Sequence, residues 1–245
     1  MRESKISSDN LIAVLPGSDE YVLVSAHLDG YGFGEPVNGD NLYNGAFDDA
    51  ACVANLIELA ADLHRSRRKL RRSVLFAVYT GEEKGLLGSN YFVSHLTAPR
   101  EKIVANINLD YIRPLFPLKI LTALGLEDSS LGETARQVGS SLGIRIQNDN
   151  EPERGLFRRS DQFNFIRNGV PGIAFIFGYE NGSNEEAIYR AWYRDRYHKP
   201  QDDLLQPVDF GAAVKFHQFF SRMAEAVANA EERPHWNPSS PYAPK

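Results

Sequence analysis

Two short apolar runs, Leu11–Leu15 and Tyr21–Ala26, are separated by Pro16, Gly17, Ser18 and Asp19, a pattern that predicts two strands joined by a tight turn. A long polar segment follows. From Ala50 to Leu63 the apolar residues Val53, Leu56, Ile57, Ala60 and Leu63 recur at helical spacing, with Asp48 or Asp49 placed to cap the start. Ser73–Tyr79 is an unbroken apolar run suited to a strand covered on both faces; Gly85–Leu96 returns to helical spacing, and Ile103–Leu109 is again strand. Lys119–Leu124 and Gly172–Phe177 read as strands, Leu131–Leu142 and Phe210–Ala228 as helices. This alternation predicts an α/β fold of three layers. A mostly parallel, mixed, twisted sheet lies between helices, with the first two strands forming a hairpin-like antiparallel pair at one edge. No repeat and no clear linker interrupts the chain, so residues 1–245 are read as a single domain.

With 245 residues, 42% of them hydrophobic, the chain can bury a substantial core. A net charge of −5 and a pI near 5.7 give no reason to expect nucleic acid or an anionic membrane as partner. The basic run of Arg65, Arg67, Arg68, Lys69, Arg71 and Arg72 sits between a helix and a strand and reads as a solvated connection. Cys52 is the sole cysteine, which excludes an internal disulfide. No apolar run approaches the roughly 20 residues that span a bilayer. Met1–Asn10 is too polar for a signal peptide. The proline-rich tail from Arg233 to Lys245 reads as a surface strap or a disordered end.

Ligands of open α/β sheets bind beyond the carboxyl ends of the strands, and there the sequence is unusual. His27 and Asp29 follow the second strand, Glu82 and Glu83 the third, and Asp110 the fourth, while Asp48 stands at the mouth of the first long helix. Each has an ordinary reading taken singly: Asp48 as a helix cap, Glu82 and Glu83 as first-turn acids, His27 as a satisfied core histidine. Together they place several acids and an imidazole along one rim, where mutual repulsion calls for a cation. A mixed histidine and carboxylate set suits zinc, with cobalt or manganese as alternatives.

At these residues the chain resembles the M28 zinc aminopeptidases, and the matches run in order along most of its length. Ala26-His27-Leu28-Asp29 is similar to that family's metal histidine with its supporting aspartate. Gly45-Ala46-Phe47-Asp48-Asp49-Ala50-Ala51 resembles the segment with the bridging aspartate. Thr80-Gly81-Glu82-Glu83-Lys84-Gly85-Leu86-Leu87-Gly88-Ser89 is the most specific match, followed by Asn108-Leu109-Asp110 and Tyr197-His198-Lys199-Pro200-Gln201-Asp202. The resemblance implies two zinc ions. His27 and Asp110 would hold one and Glu83 and His198 the other, with Asp48 shared, Glu82 as general base and Asp29 on the free nitrogen of His27. Three carboxylates and two neutral imidazoles leave roughly one positive charge over the pair. Tyr197 matches a tyrosine that steadies the oxyanion; a buried core tyrosine is the alternative.

The implied substrate is a peptide cut at its amino terminus, in a full-length protein that is secreted or periplasmic, any signal peptide lying outside this chain. Two departures stand out. Arg158-Arg159-Ser160-Asp161-Gln162 carries glutamine where many relatives have histidine, which counts against a substrate-orienting role for Gln162; help from Asp161 in positioning substrate is the less favoured reading. Only 26 residues precede His27, so the chain looks trimmed at the start, and an exposed sheet edge there would permit a homodimer. A serine hydrolase is rejected because the Gly-x-Ser-x-Gly match, Gly139-Ser140-Ser141-Leu142-Gly143, ends the helical run Leu131–Leu142 instead of forming a strand-to-helix elbow, and Ser89 lies inside a helical pattern. The glycines of Gly30-Tyr31-Gly32-Phe33-Gly34 lack nucleotide-loop spacing and read as a flexible active-site loop. A carboxypeptidase or dipeptidase, a single-zinc glutaminyl cyclase and an inactive receptor or scaffold of the same fold remain as rivals, the last disfavoured because every candidate ligand is present.

Overall fold

A computed structural model describes residues 6–67 and 69–244, so Arg68 of the basic run, the first five residues and Lys245 lie outside the described residues. Seven strands form the main sheet: β1 (Leu11–Leu15), β2 (Tyr21–His27), β5 (Ser73–Tyr79), β6 (Ile103–Tyr111), β7 (Ile120–Leu124), β8 (Arg145–Gln147) and β9 (Gly172–Phe177). Their order is β1-β5-β2-β6-β9-β7-β8. The central β5, β2, β6 and β9 are parallel, β1 runs antiparallel to β5, and β7 antiparallel to β9. A separate two-stranded hairpin pairs β3 (Gly32–Val37) with β4 (Asp40–Tyr43).

The helices complete three layers. On one face α1 (Ala51–Ser66), α3 (Leu131–Ser141) and α6 (Phe210–Asn229) cover Val22, Val24, Ala26, Val74, Phe76, Ile107 and Leu109. On the other, α2 (Leu87–Ser94) and α4 (Gln162–Ile166) cover Leu23, Leu75, Ala77 and Tyr79. The alternation of Val22 and Val24 against Leu23 follows from the two-residue period of a strand. β6 uses the same period differently: Ala105, Ile107 and Leu109 face the first core, while the alternate positions Asn106, Asn108 and Asp110 are polar and buried. A last helix, α5 (Asn184–Asp195), starts at Ser183, whose hydroxyl accepts from the Glu186 backbone N at 3.1 Å.

The expected α/β architecture is observed, with one rearrangement at the edge. β1 and β2 do not pair with each other, because β5 lies between them and pairs with both. Burial explains the order: six of the seven residues of β2 are buried and need neighbours on both sides, whereas β1 is mostly exposed and suits an edge. The turn between them folds back onto β5, where Gly17 donates to Ser73 Oγ at 2.8 Å. A Cβ at Gly17 would lie 2.5 Å from the Arg72 carbonyl carbon.

The polar segment after β2 is not a featureless loop either, since Asn38 and Gly39 take φ of 54° and 87° at the tip of the β3–β4 hairpin. Asn-Gly is the dipeptide that two-residue hairpin turns favour. The tail forms a strap: Trp236 pairs with Ser129, and its indole N–H donates to the Gly169 carbonyl at 3.1 Å.

Candidate metal centre

The parallel strands deliver the candidate residues to one edge. His27 ends β2, Asp110 is the penultimate residue of β6, and Glu82 and Glu83 lie in the turn after β5. Asp48 does not cap α1. It sits in an irregular turn at residues 46–50 with φ −125° and ψ 75°, joined to Asp49 by a cis peptide bond, and no side chain caps this end of the helix. His198 arrives from the loop after α5 with φ 54°, a left-handed conformation that costs a histidine of order 1 kcal/mol or more and is tolerated where surrounding bonds enforce it. Those bonds include Lys199 N to Arg196 O at 3.0 Å and Asp202 N to Lys199 O at 3.1 Å.

Five side chains converge as two triads that share Asp48: His27, Asp48 and Asp110 in one, and Asp48, Glu83 and His198 in the other. His27 Nε2 lies 3.4 Å from Asp48 Oδ1 and 3.9 Å from Asp110 Oδ1. His198 Nε2 lies 3.2 Å from Asp48 Oδ2 and 3.3 Å from Glu83 Oε2. Ligands about 2.1 Å from a tetrahedral ion stand about 3.4 Å from one another, so these separations suit zinc. A second observation agrees. His27 is 1% exposed, yet its Nε2 has no hydrogen-bond partner, as expected of a nitrogen reserved for a cation.

The electrostatics describe a site that calls for positive charge. Burial, then Asp110, push Glu82 up to about 10, and burial, then Asp48, push Glu83 up to about 7. Burial opposes a charged His27, but Asp49, Asp110, Asp29 and Asp48 outweigh it and raise its pKa well above the usual histidine range. Asp48 goes the other way: despite burial, Arg113 and the two imidazoles hold its carboxyl well below the usual carboxylate range. Divalent cations at the triads would lower the acids together.

Asp29 takes part differently from the expected contact. The Nδ1 of His27 is 3.0 Å from the backbone carbonyl of Asp29 and 3.7 Å from its carboxylate. The carboxylate instead accepts from the backbone N–H groups of Glu82 at 3.0 Å and Glu83 at 3.2 Å. One residue therefore sets the tautomer of His27 through its main chain and clamps the two-glutamate turn through its side chain. Glu82 Oε2 lies 4.0 Å from His27 Nε2, at the rim of the first triad. The Tyr197 ring stacks on His198 with centroids 3.6 Å apart, and burial together with Asp48 and Asp110 raises its hydroxyl pKa above the ordinary tyrosine value.

Gln162 is fully buried and bonds to Asn108 and to the Phe157 carbonyl, each at 3.0 Å, so it braces β6 from below. Asp161, 1% exposed and bonded to Ser89, lies in the same buried layer and not at the rim. Burial pushes it up to about 7.

Several residues of the centre escaped the sequence reading. Asp202 accepts from the backbone N–H groups of Phe47 at 2.9 Å and Asp48 at 3.0 Å, tying the His198 loop to the Asp48 turn. Arg113 is fully buried beneath Asp48. Tyr31, on the connection from β2 to β3, places its ring 4.5 Å from His198 and lines a recess of about 10 Å³ together with Tyr43, Asp48, Glu83 and Lys199. Position within a quoted motif was the available signal for Asp202. Tyr31 stands within the glycine-rich stretch read as an active-site loop, whereas Arg113 carries no signal, since isolated arginines are common on surfaces.

A metal-ligand cluster at the carboxyl edge of a central parallel sheet defines the class, and comparison places it. Residues 10–224 match Peptidase family M28, and the chain belongs to that family. Over 213 residues it is 29% identical to "probable leucine aminopeptidase 2" of Aspergillus oryzae, covering 80% of this chain and 40% of that protein. It is 27% identical over 244 residues to "Probable zinc metalloprotease" of Pyrenophora teres f. teres, covering 94% and 50%. The chain thus spans about half the length, or less, of these curated relatives. The fold is that of a zinc aminopeptidase from Bacillus subtilis, with TM-score 0.68 and 19% identity over 91% of this chain and 51% of that one. A glutaminyl cyclase from Porphyromonas gingivalis also superposes, with TM-score 0.66 and 20% identity over 87% and 76%.

Proposed function

We propose that this chain is the catalytic part of a two-zinc aminopeptidase that hydrolyses the amino-terminal bond of peptides, with cobalt or manganese as possible substitutes for zinc. The observation that carries the reading is the pair of three-ligand clusters joined through Asp48, with each oxygen of its carboxylate facing a different histidine. His27, Asp48 and Asp110 would hold one ion, and Asp48, Glu83 and His198 the other. Zinc supplies Lewis acidity that polarises a carbonyl and acidifies water.

The remaining steps belong to protein groups. Glu82 takes the proton of the attacking water and delivers it to the leaving amine; such a shuttle contributes about 10²–10⁴-fold. The Tyr197 hydroxyl donates to the oxygen that becomes negative as the tetrahedral species forms. Asp29 keeps Glu82 and Glu83 in register through their backbone N–H groups. Retention of donors for two ions favours hydrolysis over single-zinc cyclisation.

Hydrolysis of aminoacyl nitroanilides, with and without chelator, tests the reading. Zinc-loaded protein is expected to cleave them, chelated protein to stop, and Glu82→Gln to lose at least a hundredfold in kcat while keeping its zinc. Full activity in Glu82→Gln would remove the base from its role. Substrates with blocked amino termini separate an aminopeptidase from other peptidases, and amino-terminal glutamine peptides report cyclisation.

A further inference from the structure

Each triad offers one imidazole and two carboxylates, so ligand type alone gives the two positions equal affinity. What surrounds them is not equal. Arg113 follows β6 and is completely buried, a rare place for a guanidinium. Its Nη1 donates to the Asp110 carbonyl at 2.7 Å, and its plane lies 4.8 Å over the Trp192 ring. Nη2 lies 3.4 Å from Asp48 Oδ1, the oxygen that faces His27; the other oxygen, Oδ2, faces His198. Neither Nη2 nor Nε has a hydrogen-bond partner, so this charge is poorly neutralised where it stands. The guanidinium cannot shed its proton, and in a water-poor site its repulsion of a nearby cation is strong.

We infer that Arg113 is a positioning residue that makes the two metal positions unequal, weakening the His27–Asp48–Asp110 position relative to the Asp48–Glu83–His198 position. It does so by sharing Asp48 Oδ1 with any ion bound there and by placing a fixed positive charge behind it. Asp49 Oδ2, 4.0 Å from His27 Nε2, works in the opposite sense but is committed to the His27 backbone N–H at 3.2 Å. The inference rests on the two-metal reading and adds an order of filling: the Glu83–His198 position first, the His27–Asp110 position second.

The test is zinc titration of metal-free protein against a chromophoric chelator, reading two dissociation constants. Wild type is expected to show two steps at least tenfold apart, with His198→Ala removing the tight step and His27→Ala the weak one. Arg113→Met keeps an unbranched side chain of similar reach against Trp192 and removes the charge; it should bring the steps at least tenfold closer. Arg113→Lys keeps the charge and should retain most of the gap.

An unchanged gap in folded Arg113→Met overturns the inference, and so does loss of the tight step in His27→Ala. That second outcome decides the matter even if Arg113→Met does not fold. Equal steps in an active hydrolase reject this inference alone, while activity in Glu82→Gln rejects the catalytic reading and leaves the metal order standing. A wild type that takes up one ion rejects both.

Discussion

Asp202 connects the two candidate metal triads without belonging to either, and replacing it with asparagine isolates that connection. The carboxylate is 1% exposed and accepts from Phe47 N at 2.9 Å, Asp48 N at 3.0 Å and Gln206 Nε2 at 2.6 Å. Asparagine fits the space but turns one acceptor oxygen into an NH₂ group, so one of the two backbone donors faces another donor. A buried donor left unpaired costs about 1–3 kcal/mol, and the surviving bond falls from a charged bond worth about 1.5–3 kcal/mol to a neutral one worth about 1.

The expected loss is therefore about 2–4 kcal/mol, or roughly 5–15 °C in Tm at about 2–4 °C per kcal/mol for a chain of this size. Scanning calorimetry of Asp202→Asn, zinc-loaded and chelated in parallel, measures it. Both forms should lose stability, because the bonds are to the backbone of the Asp48 turn and not to a ligand atom. Zinc affinity should fall about 10- to 100-fold, as for other residues that orient ligands. Asp195→Asn, at the exposed end of α5, is the control and should change stability by no more than about 0.5 kcal/mol. If Asp202→Asn melts within 2 °C of the parent and binds zinc equally well, Asp202 does not hold the turn.

The other predictions address separate parts of the argument. Gly88→Ala would place a Cβ 2.8 Å from Thr80 N and closer still to the Thr80 carbonyl, displacing the turn that carries Glu82; it should destabilise by about 1–3 kcal/mol and lower activity, checked by denaturant titration and kcat. Tyr197→Phe should lower kcat by about 10²-fold with little change in KM, and an equal rise in KM with constant kcat would argue for a ground-state contact instead.

Asp161 has a folded pKa raised from the ordinary aspartate value to about 7, so it favours folding when protonated. Its contribution is complete below the unfolded pKa near 4 and disappears as pH rises through about 7. Metal-free protein should therefore lose urea resistance progressively between about pH 4 and 7, the unfolded and folded values, with a shallower slope in Asp161→Asn; identical slopes would discard the assignment. Arg72, 2% exposed, binds Glu20 at 2.8 Å and the Ala230 carbonyl at 2.6 Å beyond the end of α6. Arg72→Met removes the donor of the Ala230 carbonyl, while Glu20 keeps Arg233 at 3.2 Å, and should cost about 1–3 kcal/mol by chemical denaturation.

Most of the fold can be read from hydrophobic spacing, because β5, β6, β9, α1, α3 and α6 each bury a face wide enough to leave a periodic trace. Elements that depend on few apolar residues were missed. The β3–β4 hairpin shows only its Asn38-Gly39 turn, and α5, with Tyr189 and Trp192 as its buried residues, is marked by Ser183 and Glu186 at its start. Strand order lies beyond periodicity. The hairpin-like reading of β1 and β2 failed because a local turn cannot show that β5 will enter between them.

For the metal centre, the sequence by itself determined which residue types end the strands: His27 on β2, Asp110 on β6 and the two glutamates after β5, a set whose charges are tolerable together only with a cation. The motif resemblance already implied that Asp48 is shared between the two histidines; tertiary structure alone decided that Asp29 clamps the Glu82 turn, that Asp202 ties His198 to Asp48, and that Arg113 lies under one side of the site. The physical reason is reach. Periodicity reports which face of one element is buried, whereas these contacts join residues far apart in the chain and exist only once the sheet has brought its carboxyl ends to a common edge.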